Sequence, residues 1–481
     1  MTVSTFSVIF HHLLEKKVTV QVSMFPGIPK IIISGLATRV VRESRDRLIS
    51  CLKSQKIKIK SYRTVINLMP TDLIKNDNHL ELAMMAALLA GYGLIKIDQN
   101  DCYLGSVGLS GEVNSVPKIQ ALVLGAKKLG FKRVFLAQTD LEKVKIVTGI
   151  KLVGLNNIEQ LISKKYQEVF TAVTKYSFKP KTFKYKLSSS LNNQGSARVL
   201  QIAAAGNHHL LLTGPPGYGK TLMAHCLESL IPSLSYKNAL EVVKVYSLAG
   251  FSKRRVFSSP FRKISTSISL TKLVGNKTLE RVGELELANH GVLFMDEINL
   301  FKREVLDEVA YQLDDNLNES EKKSTFLLIA TNNPCKCGFF GTQIKKCSCS
   351  QQQLTNYQQK LSGALLDRFD LFFEVNETIL ETKENNIDDD LITNQVTKVA
   401  KELVILRRND SKYFSNNSQH FLISSLSSQS KKLLEKAREN LKLSNRAVLK
   451  VINVARTISL LDNSDSIKNS HLIEAISFRK R

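Results

Sequence analysis

The segment Gly214 to Thr221 reads GPPGYGKT, a match to G-x-x-x-x-G-K-[ST]. It follows the apolar run LLLT and precedes LMAHCLESL, which has helical spacing. Strand, glycine-rich loop and helix in that order make a phosphate-binding loop. Gly214, Pro215, Pro216, Gly217, Tyr218 and Gly219 supply backbone that can wrap phosphates closely. Lys220 places a point charge on the β- and γ-phosphates, and Thr221 offers a hydroxyl to Mg²⁺. ATP and magnesium are therefore the expected cofactors.

The second half of such a site is an apolar strand ending in acids. Gly291 to Glu297 reads GVLFMDE. Asp296 is expected beside the Mg²⁺, with Glu297 positioned to polarise the attacking water. The run TFLLIATNNP then ends in Asn332 and Asn333. Ligands gather at the carboxyl ends of strands in a parallel sheet, so an Asn there can hold the water or the γ-phosphate. An Asn-Pro turn is the plainer alternative.

Pattern divides the 481 residues into several regions. Residues 1–160 mix short β-type runs (VTVQV at Val18 to Val22, KIIIS at Lys30 to Ser34, VINL, RVFLA) with helical stretches at Leu80 to Leu89 and Ile119 to Leu129, an α/β domain. Residues 161–195 are lysine-rich and end in SSSLNNQG, a basic linker. Residues 196–376 alternate continuous apolar strands with helices, which argues for a parallel sheet covered on both faces. Residues 377–481 are helical, with strong 3.6-residue periodicity over Ala447 to Leu461.

Charge adds a separate constraint. Lys and Arg number 68 against 43 Asp and Glu, a formal net charge of +25. A chain this basic tends to meet a polyanion, with nucleic acid first and an anionic membrane surface second. Its longest apolar stretch, Leu82 to Ile95, is shorter than a membrane span needs and carries two glycines. No basic segment followed by an apolar stretch and a small-residue cleavage site opens the sequence, so a cytoplasmic chain without a membrane partner is expected.

Cys335, Cys337, Cys347 and Cys349 form two C-x-C pairs nine residues apart. In a reducing compartment such a cluster suggests metal rather than disulfides. Two pairs facing across a hairpin would close a tetrahedral zinc site. Four reduced thiols in a basic, DNA-facing loop are the alternative.

Several stretches resemble the magnesium-chelatase-like AAA+ ATPases, and within them the ComM/YifB group. They are GPPGYGKT, LVGNKTLERVGELELANHGVLFMDE, NNPCKCGFFG followed by KCSCS, SGALLDRFDLFFEV, LSNRAVLKVINVARTI and the final HLIEAISFRKR. The resemblance implies an AAA+ core with a C-terminal helical lid. It implies that Asn333 is the sensor-1 residue, that Arg368 in LLDRFD is an arginine finger reaching a neighbouring subunit, and that Arg446 in SNRA is the sensor-2 arginine. Without it, Arg368 reads equally as an ion-pair residue beside Asp367 and Asp370. A homo-oligomer, a hexamer in this family, is implied as well.

Residues 1–160 resemble the family's N-terminal domain, which is similar to the Lon protease domain (ribosomal S5 domain 2-like). Lon-type proteolysis needs a Ser-Lys dyad. The two positions align with His79 and Gln120, so the domain is expected to be non-proteolytic, with His79 at the surface or capping a helix. Arg39, Arg42, Arg45 and Arg47 lie along one helix and either meet phosphate or form a solvated face. Two segments depart from the family: PFRKISTSISLTKLVG lacks a paired histidine, and the glycine-rich stretch near LVGNKTLERVGE is reduced.

The leading expectation is an ATP-hydrolysing ring motor on single-stranded or branched DNA. The resemblance implies helicase or branch-migration activity during recombination of transforming DNA. The alternative is a chelatase-type motor subunit, or a remodelling factor acting on a protein partner.

Overall fold

Alternation of apolar and polar positions makes β1 (Thr2–His11) and β2 (Leu14–Pro26) two-faced strands, with Val18, Val20 and Val22 fully buried on one side. The computed structural model describes residues 2–36, 38–57, 62–75, 77–170, 185, 187, 194–251, 257–276, 279–314, 325–342, 345–375, 388–409 and 426–479. In it, β1 and β2 pair antiparallel, with Thr2 opposite Ser23 and His11 opposite Leu14. Next come β3 (Lys30–Ser34), α1 (Arg39–Ser54), β4 (Tyr62–Met69) and α2 (Glu81–Gly91). The sheet order is β1-β2-β4-β3, with only β3 and β4 parallel. A second sheet joins β5 (Asp101–Tyr103), β6 (Arg133–Ala137), β7 (Lys151–Leu155) and β8 (Glu168–Phe170) in the order β8-β7-β6-β5, with α3 (Ile119–Lys128) between β5 and β6 in the chain.

The apolar stretch that is too short for a membrane becomes a core helix. α2 is apolar all round, and Leu82 to Leu89 are all at 0% exposure. Its one acid, Glu81, is buried, and its carboxylate takes Arg47, the Ser44 hydroxyl at 2.6 Å and the Val107 N–H at 2.9 Å. Arg47 therefore turns inward rather than joining a basic face, while Arg45 pairs with Asp46. The Arg39 side chain lies outside the described residues. Among the described residues no helix is long and apolar enough to cross a membrane.

His79 is a correction to the surface or capping role expected of it. It lies in the 3₁₀ turn Asn78–Leu80 at 2% exposure, with Nε2 2.7 Å from the Val8 carbonyl oxygen. Full burial of Leu80 and Leu82 draws the turn inward, and the imidazole satisfies a backbone acceptor there. Burial pushes its pKa down, against the pull of Asp77. Gln120 donates to the Lys143 carbonyl at 2.8 Å.

Contacts divide the chain into two bodies, each discontinuous in sequence. The first is Met1–Phe178 with Tyr236–Val256 and Asn276–Val282; the second is Lys179–Ser235, Phe257–Gly275 and Gly283–Arg481. The helix Tyr236–Leu248, between the two halves of the phosphate motif in sequence, thus belongs to the first body. Tyr236 donates its hydroxyl to the Ile146 carbonyl at 2.8 Å and accepts from the Thr148 N–H at 3.2 Å. Ser247 accepts from the Ala121 N–H of α3 at 3.2 Å. Residues 171–184, 186 and 188–193 of the lysine-rich stretch lie outside the described residues.

The second body carries a parallel sheet. Its strands are β9 (Leu210–Thr213), β10 (Phe261–Ile264), β11 (Gly291–Met295), β12 (Phe326–Asn332) and β13 (Leu371–Glu374), in the order β10-β11-β12-β9-β13. Strands this apolar are filled from both faces. Leu210, Leu212, Phe294 and Ile329 pack with α4 (Gln194–Gly206) and α5 (Lys220–Leu230); Leu211, Leu293, Met295 and Leu328 face the other way, onto α6 (Arg303–Gln312). After α7 (Gln351–Gln358) and a single helical turn at Gly363–Leu366, the described residues include the helices α8 (Asp389–Asn409), α9 (Ser428–Asn440), α10 (Asn445–Leu461) and α11 (Asn469–Ser477). Val396, Leu434, Val451 and Leu472 place these four in the same core as α4 and α5.

Candidate functional site

The loop GPPGYGKT connects β9 to α5. Gly219, at φ +78°, takes the left-handed turn that starts the helix, so the α5 N-terminus points into the loop. Lys220 is 8% exposed, and its ammonium donates to the Gly214 and Pro215 carbonyls at 2.7 and 2.6 Å. Burial lowers its pKa, and Asp296 and Glu297 act against that shift. The ammonium lies folded onto the loop's own backbone, so reaching a phosphate requires it to exchange two carbonyls for phosphate oxygens.

Thr221 and Asp296 come together as their sequence positions suggest. The Thr221 hydroxyl donates to Asp296 Oδ1 at 3.2 Å. Magnesium binds oxygen donors at about 2.0–2.1 Å in an octahedron, which sets adjacent ligands about 3 Å apart. A hydroxyl and a carboxylate oxygen at this separation fit such an ion. Two further residues hold Asp296. Thr331, one residue before Asn332, donates to Oδ1 at 2.7 Å and accepts the Glu297 N–H at 2.8 Å. Lys263, in β10, sits 2.7 Å from Oδ2. Burial would raise the Asp296 carboxyl, but hydrogen bonds from Lys263 and Thr331 and the Lys263 charge outweigh it and hold the pKa below the usual carboxylate range. Glu297 takes a left-handed backbone at φ +54°, and its side chain is exposed.

Asn332 ends β12 directly across from Thr213, and its carbonyl accepts the Gly214 N–H at 3.3 Å. Its side-chain oxygen accepts from the Tyr357 hydroxyl at 3.3 Å. Asn333 is half-buried one residue further on, and its backbone also bonds Tyr357. Beside these strand ends lies an apolar cavity of about 520 Å³, lined by Thr213, Asn332, Phe340, Tyr357, Leu361 and Phe372 among others.

Arg368 and Arg446, 78 positions apart in sequence, meet on one acid. Asp314 offers Oδ2 to Arg368 at 2.6 Å and Oδ1 to Arg446 at 3.0 Å. Arg368 thus has a carboxylate partner 54 positions earlier in the chain, Asp314. Asp370 instead takes Lys450 of α10 at 2.7 Å and the His209 N–H at 2.8 Å. Lys450 also donates to the Arg368 carbonyl at 2.7 Å, and Arg479 to the Phe369 carbonyl at 2.6 Å. Sequence reasoning missed Lys263, Thr331, Asp314 and Lys450. The residue type at each position is unremarkable, and only the fold sets it beside its partner.

The four cysteines between 335 and 349 converge. Their sulfurs lie within 4.8 Å of one another, with Cys335–Cys337, Cys337–Cys347 and Cys335–Cys347 separations of 3.2, 3.5 and 3.7 Å. A tetrahedral ion with bonds of about 2.3 Å to sulfur needs separations near about 3.8 Å. The cluster therefore fits a four-thiolate metal with little movement. Backbone N–H groups from Gly338 and Phe340 already point at the Cys335 sulfur, at 3.2 and 3.3 Å. Those of Phe339 and Ser348, then the Cys335 thiol, pull the Cys337 pKa down to about 5.

Comparison with known proteins agrees along the chain. A family model described as magnesium chelatase, subunit ChlI, matches residues 187–383. Two more, described as subunit ChlI of Mg-chelatase and as the subunit ChlI C-terminal region, match 20–140 and 393–479. The protein YifB of Escherichia coli strain K12 is 31% identical over 481 residues, covering 96% of this chain and 94% of its own. The competence protein ComM of Haemophilus influenzae is 30% identical over 490 residues, with the same coverage of each chain. A shorter match, 32% over 85 residues, covers 18% of this chain and 19% of the DNA repair protein RadA of Listeria monocytogenes.

Proposed function

The chain belongs to the magnesium-chelatase-like family that includes YifB and ComM, and from that premise we propose that it is an ATP-hydrolysing AAA+ motor acting on DNA as a ring, with helicase or branch-migration activity on recombination intermediates. The observation that carries the ATPase part is the meeting of Lys220, Thr221 and Asp296 at the carboxyl edge of a parallel sheet. When bound, Mg²⁺ supplies charge neutralisation between the β- and γ-phosphates. Thr221 and Asp296 would hold it. Lys220 would take the β/γ oxygens, Glu297 would orient the attacking water, and Asn333 would hold the water or the γ-phosphate. In this reading Arg368 stabilises charge on the γ-phosphoryl group of a neighbouring subunit, with Arg446 beside it.

DNA as the substrate is supported by the net charge of +25 and by the competence protein among the relatives. The same reading takes the four-cysteine cluster as a zinc site, residues 1–160 as a Lon-like domain without a protease dyad and the C-terminal helices as the AAA+ lid. A chelatase-type motor, suggested by the family description alone, leaves the charge unexplained.

The test is ATP turnover with and without single-stranded and forked DNA, at low and moderate salt, with Lys220→Ala as the inactive control. DNA-stimulated turnover that salt abolishes is the expected result. Turnover indifferent to DNA at every salt concentration rejects the DNA motor and turns the search to a protein partner.

A further inference from the structure

We propose that the four-cysteine knuckle, once loaded with zinc, buttresses the phosphate loop, so that nucleotide affinity depends on a metal that never touches the nucleotide. The inference rests on the zinc reading above and goes beyond it by giving the metal a task.

Gly338 is the point of contact. It is buried, at φ +87°, and donates its N–H to both the carbonyl and the sulfur of Cys335, at 3.0 and 3.2 Å. Its Cα faces Pro216, the residue after the Pro215 carbonyl that receives Lys220. A Cβ at position 338 would lie 2.6 Å from Pro216 Cδ and 3.0 Å from Cγ. Those distances are impossible without movement, and a proline ring cannot swing aside as a flexible side chain can. The knuckle backbone therefore rests directly on the loop, at a position that only glycine fits.

A second link runs through Phe340, two residues further along the same limb. The Phe340 N–H also points at the Cys335 sulfur, and the Phe340 ring lines the cavity shared by Thr213 and Asn332. Asn332 in turn accepts the first N–H of the loop, that of Gly214. One sulfur thus holds both the glycine that abuts Pro216 and the residue whose ring lines the cavity beside Thr213 and Asn332. Without a cation, four thiols within 4.8 Å of one another, three of them at 3.2 to 3.7 Å, gain little from staying together, and their negative forms repel. With zinc in place the knuckle becomes a fixed wall, and the loop is held in its phosphate-ready shape.

The experiment uses the full chain. Zinc content is read with a chromophoric chelator after thiol modification, and affinity is read by mant-ADP fluorescence. Three proteins are compared: wild type, Cys347→Ser/Cys349→Ser and Gly338→Ala. About one zinc per wild-type chain is expected. The cysteine variant should lose zinc and weaken mant-ADP binding on the order of tenfold, while Gly338→Ala should keep zinc and weaken binding comparably. If wild type neither carries nor takes up zinc, the metal reading fails and the buttress with it. If wild type holds zinc but Gly338→Ala binds mant-ADP like wild type, the buttress fails and the metal reading stands. If the zinc-free cysteine variant binds mant-ADP like wild type, the dependence on metal fails; should that variant not fold, wild type stripped of its zinc takes its place in the comparison.

Discussion

Asp314 gives one carboxylate oxygen to Arg368 and the other to Arg446, so each guanidinium fixes the carboxylate for the other. Arg368 is 11% exposed in its side chain, against 31% for Arg446. An arginine placed on a developing γ-phosphoryl charge contributes about 10³ or more in rate. Arg368→Ala is therefore expected to lower kcat by about that factor with mant-ADP affinity unchanged. Asp314→Asn keeps the shape but loses the charge that aims both arginines, and a smaller fall of about tenfold is expected. Steady-state turnover decides: wild-type kcat in Asp314→Asn would remove Asp314 from any positioning role. Asp370 carries a different prediction. Burial would raise its carboxyl, but Lys450, His209 and His208 hold the pKa at about 2, against 3.8 for an ordinary Asp. A carboxyl depressed in the folded state stabilises fully above the unfolded value, and that contribution disappears as pH falls from about 4 to about 2. It amounts to about 2 kcal/mol at neutral pH. Asp370→Asn should therefore be less stable at pH 7, with the gap to wild type closing below about pH 3 in acid-unfolding curves.

At the scale of elements, much of the fold was legible because period and length agreed with burial. Lys30–Ser34, Arg133–Ala137 and Gly291–Met295 are strands with the bounds that their apolar runs suggest, and α10 extends the periodic run at Ala447 by two residues. The phosphate loop was legible because its glycines and Lys220 sit at fixed spacing between a strand and a helix. What stayed hidden depends on non-local pairing. Lys263 is an ordinary strand lysine until β10 pairs with β11 and sets it beside Asp296. His79 read as a surface histidine because the Val8 carbonyl it satisfies is 71 positions away. The helix Tyr236–Leu248 read as part of the nucleotide domain, since nothing local says that its apolar face packs with α3. Its anchor is one phenol shared by Ile146 and Thr148. Tyr236→Phe should cost about 1–2 kcal/mol, since two backbone groups lose their partner. A thermal unfolding midpoint equal to that of wild type would show that these groups find water instead.

At the scale of the whole molecule, the arrangement of charges bears on assembly. Lys220, Thr221 and Asp296 form one half of a site, while Arg368 and Arg446 pair with Asp314 in the same chain. A ring reading assigns the two halves to different subunits, each nucleotide lying between the loop of one and the arginines of the next. Mixing two inactive proteins tests that division. Lys220→Ala lacks the phosphate ligand but keeps its arginines; Arg368→Ala lacks the finger but keeps its loop. In an equal mixture, about a quarter of the interfaces would join an intact loop to an intact arginine. Turnover should therefore return in the mixture to a measurable fraction of wild type, although neither protein alone hydrolyses ATP. Recovery should rise with protein concentration and fall when either partner is in large excess, because both extremes remove mixed interfaces. An arginine that served only its own chain would give no recovery at any ratio. The ring would then no longer be required for hydrolysis, and DNA stimulation would have to act within one subunit.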